Sequence, residues 1–467
     1  MATIITNGEI ITASDRYHAD IRIDAGVITT IGRDLPVTEV DTVIDAAGRW
    51  VIPGGVDVHT HLDMPFMGTM SSDDFYTGTR AAAHGGTTSI VDFAISFRGQ
   101  DYDEVLDNWM AKARGKAVFD YGLHMAMTWY DTPDAKAGVL SCIERGVSSF
   151  KTFMAYKGVL GVEDPELFDF MRDMGQLNIP VSMHAENGSI VESMQKAFVE
   201  QGKLTPEYHG LSRPSGVEGE ATASAIALAR YADCKLYIVH LTCQEALDAV
   251  REARQRGQAV YAETCPQYLM FDDEVYRRPD FEGAKWVMSP PIRPKGHQDY
   301  LWAGLADGSL QAVATDHCPF NFETQKQMGR ESFTKIPNGA PGIGDRMGVM
   351  YTFGVKTGRI DVHKWIDTCC TFPARFFDMF PRKGTIAVGS DADIVIFDPT
   401  TAYTMGVDKS EHNCDYNAYE GMQGYGSFDM VFSRGRLLWD HGEWKGSAGM
   451  GGYLKRRAGG APELVEG

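Results

Sequence analysis

The chain has no CxxC pair, no GxGxxG, no low-complexity segment and no apolar run of membrane-spanning length. Each absence closes off a class of protein. Eight cysteines in 467 residues, two of them adjacent at Cys369 and Cys370, do not make the framework of a disulfide-stapled secreted domain. They read as reduced, mostly buried thiols. The opening MATIITNGEI lacks a basic segment followed by a continuous apolar stretch, so neither a secretory leader nor a transmembrane helix is expected. Positive charge is also scarce. Lys and Arg number 44 against 63 Asp and Glu, and the formal net charge of -19 would repel both nucleic acid and anionic membranes. A cytoplasmic protein whose partner is a neutral small molecule is consistent with all of this.

What is present is an ordinary globular composition, 43% hydrophobic and 23% charged, in a chain longer than a single core usually supports. A large domain with a smaller companion is the expectation. The first fifty residues alternate with period two in TIITNGEIITA, ADIRIDAGVITTIG and DTVIDAAGRWVI, with Asn7-Gly8 and Ala25-Gly26 as turns. The same texture returns in KGTIAVGSDADIVIFD and MVFSRGRLLWDHGEW. Each end alone leaves an apolar face uncovered, so residues 1–52 and 381–440 are expected to pair as one β-sandwich domain. Residues 441–467 are expected to form an extension, either an oligomer contact or a loose tail.

Between the ends, over 53–380, strand and helix patterns alternate. Strands are predicted at 55–61, 87–94, 121–128, 148–154, 180–186, 235–241, 259–264 and 311–317. Helical patterns such as DDFYTGTRAAAHG, DEVLDNWMAKARG and CQEALDAVREARQRG fall between them. Eight such units predict an α/β fold, a (β/α)8 TIM barrel. A doubly wound open sheet is the alternative, but no glycine-rich fingerprint follows the first strand.

Six residues of metal-ligand or charged type end these predicted strands: His59 and His61 in GGVDVHTH, Lys151 in SSFKTFM, His184 in VSMHAE, His240 in LYIVHLT and Asp316 in VATDHCP. Singly, each has an ordinary explanation. A His-x-His pair is commonly surface or core, a lone histidine a hydrogen-bonded core residue, and a lone aspartate a helix cap. Together they share the end of the barrel where active sites of this fold lie. His59 and His61, two apart on a strand, face the same way. Four imidazoles and a carboxylate suit zinc or a similar divalent ion with open positions for water. Lys151 does not fit as an ammonium, and it could be a salt-bridge partner or a Schiff-base amine. It could also carry carbon dioxide as a carbamate. Two dications, one aspartate, one hydroxide and a carbamate leave about +1, whereas an ammonium leaves about +3, which favours the carbamate.

The motifs GGVDVHTH, SSFKTFM, MHAEN, VHLTC, MSPPIRP, TDHCPF, IPNG and RKGTIAVGSDADIVIFD, in this order, resemble the cyclic-imide branch of the amidohydrolase superfamily, the dihydropyrimidinases and D-hydantoinases. The resemblance spans essentially the whole chain. It implies a barrel with a sandwich from both chain ends, a homotetramer, and two divalent ions, zinc foremost. One ion would sit on His59, His61, Lys151 and Asp316, and the other on Lys151, His184 and His240. Lys151 would be N6-carboxylysine. The implied reaction is hydrolytic ring opening of cyclic amides, with Asp316 as base then acid and Tyr156 as oxyanion donor. Ser289 and Asn338 match positions that hold the ring amide, and Met64, Phe66, Phe153 and Leu160 match an apolar lid over the ring substituent. His317 is expected to point away from the mouth as a packing or supporting residue. Dihydroorotase is the nearest rival, but those enzymes resemble His-x-His followed by an arginine, and here Leu62 and Asp63 follow. Allantoinase is a second rival. A non-catalytic scaffold like the neuronal collapsin-response proteins is a third, disfavoured because every ligand type is present.

Overall fold

The computed structural model describes residues 2–466. Through its centre run eight strands: β1 (Gly55–Thr60), β2 (Thr87–Ala94), β3 (Tyr121–Ala126), β4 (Phe150–Phe153), β5 (Val181–His184), β6 (Leu236–Ile238), β7 (Val260–Thr264) and β8 (Ala312–Val313). Each pairs in parallel with the next. The circle closes just past the ends of β8 and β1, where Thr60 bridges His317 and the His61 N–H donates to the His317 carbonyl at 2.9 Å. The result is the (β/α)8 barrel that the alternation predicts. Every residue of β1 to β5 is buried, as strands covered on both faces require.

The helices between the strands have local causes. Phe75–His84 starts at Asp74, whose carboxylate accepts from the N–H groups of Tyr76 and Thr77 while the Thr77 hydroxyl accepts from the Asp74 N–H. Such a reciprocal cap stabilises a helix start by about 1 kcal/mol. Gln244–Gln255 buries Ala246, Leu247, Val250 and Ala253, one stripe at helical spacing, against the barrel and its neighbouring helix Ser215–Tyr231.

The chain ends build two further sheets. A four-stranded sheet has the order Val27–Gly32, Asp20–Asp24, Thr3–Thr6, Thr42–Asp45. A seven-stranded sheet joins Arg16–His18, Glu9–Ile11 and Trp50–Pro53 to the later strands Ile394–Thr404, Gln423–Ser433, Arg436–Asp440 and Glu443–Trp444. Between them Ile5, Ile21, Ile23 and Ile28 of the first sheet pack on Ile10, Val51, Ile394, Ile396 and Phe432 of the second. Trp50–Pro53 leads directly into β1, so the sandwich aims the first barrel strand. A fully buried Lys383 ties the barrel to the sandwich, reaching Asp120 just before β3 at 2.7 Å and both Asp391 and Asp393, which precede the strand Ile394–Thr404, at 2.9 Å.

Two predicted strands are shorter than their apolar runs. β6 stops at Ile238 and β8 at Val313. His240 and Asp316 lie past these ends in left-handed backbone, with φ of 39° and 52°. After β8, Asp57 of β1 takes up the segment, accepting from the Thr315 hydroxyl at 2.6 Å and the Thr315 N–H at 3.2 Å. Within 441–467, Tyr453–Lys455 pairs with β3 at Tyr121 and with Glu463–Val465. Leu454 and Arg456 are fully buried, so this part of the segment is packed on the barrel rather than trailing free.

Candidate active site

His59 and His61 turn to the same side of β1, their rings 5.2 Å apart, and each places Nε2 3.1 Å from Oδ1 of Asp316. The His240 ring lies 5.3 Å from that of His59 and 4.7 Å from that of His184. One donor atom from each of His59, His240 and Asp316 falls within 4.8 Å of the others. His59 Nε2, His61 Nδ1 and His240 Nδ1 are buried without a hydrogen-bond partner. The ring nitrogens of His59 and His240 converging with the Asp316 carboxylate are a donor set that fits a metal ion.

Carboxylates behind the rings set their orientation. The Nδ1 of His59 is bonded to Glu263, whose other oxygen accepts from the Tyr237 hydroxyl at 2.9 Å, and the His240 N–H also points at Glu263, at 3.3 Å. His184 Nε2 meets Glu186 at 2.8 Å, and Glu186 pairs with Arg213 at 2.7 Å. Each leaves the opposite ring nitrogen of its histidine free for the mouth. Burial pushes His61 down to about 4 and holds His184 and His240 below the usual imidazole range, so these rings are neutral at pH 7. For His59 burial is outweighed by Asp316 and Glu263, which raise it. Asp316 is held well below the carboxylate range because His59 and His61 outweigh its burial.

Lys151, at the second position of β4, is fully enclosed and lies over the rings of Phe93 at 4.9 Å and Phe153 at 5.3 Å. Burial pushes its amine down to about 8. No carboxylate lies within ion-pair distance of it among the described residues, so the ordinary salt-bridge reading has no partner.

Above these groups opens a cavity of about 660 Å³, and every sequence-predicted site residue lines it: the six at the strand ends, Tyr156, Ser289 and Asn338, and the apolar Met64, Phe66, Phe153 and Leu160. Met64 and Phe66 come from the loop and short hairpin after β1, Pro65–Phe66 paired with Thr69–Met70. The Tyr156 ring stands edge-on to Phe66 and Phe153, at 6.0 and 6.3 Å, with its backbone at φ 56°. Burial raises its phenol above the ordinary tyrosine value. Asn338 Nδ2 donates to Ser289 Oγ at 2.9 Å. Gly339 beside it cannot be replaced, since a Cβ there would stand 2.2 Å from the Cys318 carbonyl oxygen. His317 does turn away: its Nε2 meets Asp73 at 2.9 Å and its Nδ1 accepts from the Gly342 and Ile343 N–H groups.

Sequence reasoning missed Glu263 and Glu186, the carboxylates behind His59 and His184. Glu186 carried a usable signal, lying two residues after His184 and hence on the same side. Glu263 is the penultimate residue of β7, one of three strands, with β2 and β3, that had contributed nothing to the predicted site. Phe97, Val159 and Phe333, which also line the cavity, carried no signal beyond being apolar loop residues.

The amidohydrolase family profile matches residues 50–438. A D-hydantoinase of Geobacillus stearothermophilus is 45% identical over 462 residues, covering 99% of this chain and 98% of its own. A dihydropyrimidinase of Rattus norvegicus is 38% identical, covering 97% of this chain and 88% of its own. Among solved structures, a dihydropyrimidinase from Brevibacillus agri matches with a TM-score of 0.97 at 48% identity, covering 98% of this chain and 99% of the other. With the barrel, the converging donors and end-to-end similarity in agreement, the chain belongs to the amidohydrolase family, in the branch of the D-hydantoinases and dihydropyrimidinases.

Proposed function

We propose that this enzyme hydrolytically opens cyclic amides, converting 5,6-dihydrouracil to N-carbamoyl-β-alanine and 5-substituted hydantoins to N-carbamoyl amino acids. The observation that carries the reading is the convergence of His59, His61, Lys151, His184, His240 and Asp316 beneath a cavity of about 660 Å³ with apolar walls. His59, His61, Lys151 and Asp316 would hold one divalent ion and Lys151, His184 and His240 another, zinc suiting the nitrogen and oxygen donors. Two ions so held would lower the pKa of a shared water to about 7 and polarise the amide carbonyl. To bridge them Lys151 would carry carbon dioxide as N6-carboxylysine, its amine adding to the carbon with loss of one proton. Two observations support this: the amine is buried without a counterion, and its lowered pKa leaves part of it neutral and nucleophilic at physiological pH.

The protein groups then have distinct tasks. Asp316 accepts the proton of the attacking water and returns it to the departing ring nitrogen, one carboxylate serving as base and then acid. Tyr156 donates its hydroxyl hydrogen to the amide oxygen as that atom gains charge, and the raised phenol value keeps the hydrogen in place. Ser289 and Asn338 grip the ring amide. Met64, Phe66, Phe153 and Leu160 surround the substituent, accepting alkyl or aromatic groups.

The same reading divides the chain into a sandwich (1–52 with 381–440), a catalytic barrel (53–380) and an extension (441–467) that serves oligomer contact in a homotetramer. Eight buried, unpaired cysteines favour a cytoplasmic setting. No helix of the described residues is long and apolar enough to cross a membrane. The test is catalytic efficiency on dihydrouracil, dihydrothymine, hydantoin and 5-phenylhydantoin with one metal-reconstituted preparation. Turnover of at least one of these four is expected. With dihydroorotate and allantoin assayed alongside, turnover of either of them and of none of the four would move the assignment to those rivals.

A further inference from the structure

Lys326 lies in an unremarkable stretch, ETQKQMG, yet none of it reaches solvent. Its ammonium donates to three main-chain carbonyls: Val287 at 2.9 Å, Pro337 at 2.7 Å and Gly339 at 2.7 Å. All three ammonium hydrogens are thereby used, and no carboxylate pairs with it among the described residues. Burial pushes the amine down to about 7, while three acceptors at these distances fit the charged form. A cation enclosed without a counterion is uncommon, and what it holds together explains its place.

The three carbonyls belong to two separate segments. They are joined further by the Gly339 N–H, which donates to the Val287 carbonyl at 3.0 Å, and by the side-chain bond from Asn338 to Ser289. Together they form the cavity wall that carries Ser289 and Asn338. In a trans peptide the C=O and N–H point in opposite directions. With the Pro337 carbonyl turned onto Lys326, the Asn338 N–H is sent the other way, and it finds no acceptor among the described residues. The cation behind that peptide also polarises it and strengthens its N–H as a donor. Other side chains fix the rest of the wall. His209 Nε2 bonds the Met288 carbonyl at 2.7 Å, and the Tyr268 hydroxyl bonds the Pro290 carbonyl at 2.8 Å. Between them the Ser289 carbonyl has no donor among the described residues. The wall thus presents one unpaired N–H and one unpaired C=O, the complement of a ring amide.

Resting on the reading that this cavity takes cyclic amides, we propose that Lys326 is a positioning residue for the ring. It locks the Val287–Ser289 and Pro337–Gly339 segments in register, so that the Asn338 N–H and the Ser289 C=O meet the ring carbonyl and ring N–H together. It touches no substrate atom itself.

The experiment compares wild type with K326M and K326R, full-length and metal-loaded, on dihydrouracil and hydantoin. K326M removes the donors at similar length, and K326R keeps the charge on a planar fork that cannot converge on three carbonyls. The wall takes the ring carbonyl and N–H that lie outside the scissile bond, contacts made alike before and during reaction, so KM is expected to rise about 10- to 100-fold in K326M by the same factor on both substrates, with kcat within about threefold. Metal content stays at the wild-type level, and K326R falls between. An unchanged KM in folded K326M, or a loss confined to kcat and metal, overturns the proposal. Failure of both variants to fold also overturns it, by placing Lys326 in the stability of the barrel. If the wild type itself opens neither ring, the cyclic-amide reading fails first, an outcome distinct from an active wild type with indifferent variants.

Discussion

Replacing Glu263 tests whether the buried carboxylate behind His59 governs metal binding. In the structure it serves three donors: His59 Nδ1, the Tyr237 hydroxyl at 2.9 Å and the His240 N–H at 3.3 Å. All of these residues are enclosed. Glu263→Ala would leave the donors unpaired, at about 1–3 kcal/mol each, less whatever a trapped water recovers. Glu263→Gln is the sharper perturbation. Its amide oxygen can still accept from His59 and its amino group can face the Tyr237 oxygen, so the fold should lose only about 1 kcal/mol. What disappears is the negative charge that fixes the His59 tautomer and raises the basicity of Nε2. Supporting carboxylates of this kind contribute about 10- to 100-fold in metal affinity. The assay is metal content after equilibration against graded zinc buffers, read beside a denaturant midpoint. A Glu263→Gln protein that keeps wild-type affinity refutes the reasoning, and so does one that loses affinity only in proportion to unfolding.

Three further outcomes follow from the same geometry. Tyr156→Phe should lower turnover by about 10²- to 10³-fold with metal content intact. Because burial raises the Tyr156 phenol, wild-type kcat should show no alkaline loss from this group until the pH passes the ordinary tyrosine value of about 10; a loss near pH 8 that Tyr156→Phe abolishes would contradict this. Lys151→Ala should cost the protein its metal and activity together, and full retention of either removes the bridging carbamate. Lys383→Met should destabilise the junction of barrel and sandwich by about 3–5 kcal/mol, because Asp120, Asp391 and Asp393 are left enclosed without their cation. The sign with pH is fixed as well. Burial opposes ionisation of Asp120, but Lys383 and Arg434 outweigh it and lower its pKa. Its stabilisation is therefore present above the unfolded value of about 4 and lost as pH falls through the folded value. Denaturant midpoints at pH 7 and pH 3 check both statements.

How far the sequence could be read depended on whether a residue's role was local. β1 and β5 were legible because an apolar run ended in histidine, and Phe75–His84 because its helical pattern lies wholly within DDFYTGTRAAAHG. His240 and Asp316 were legible as residues but not as backbone. Their runs suggested strand, while the chain leaves the sheet two or three residues earlier, and Asp57, far away in sequence, holds the segment around Thr315. Glu263 and Lys326 were opaque for the same reason. A carboxylate at the end of β7 and a lysine in ETQKQMG look like solvated charges, and only folding encloses them beside partners from distant segments. The lid shows the opposite limit. Met64, Phe66, Phe153 and Leu160 do line the cavity, yet apolar type alone does not specify which substituent they accept.

The most direct test of the central claim is ring opening measured on one preparation in three states: as purified, after chelation, and after restoring zinc. The account predicts hydrolysis of dihydrouracil or a 5-substituted hydantoin in the first state, its loss with the metal, and its return on reconstitution. A protein that binds no divalent ion, or one whose ring opening survives complete removal of metal, would contradict it.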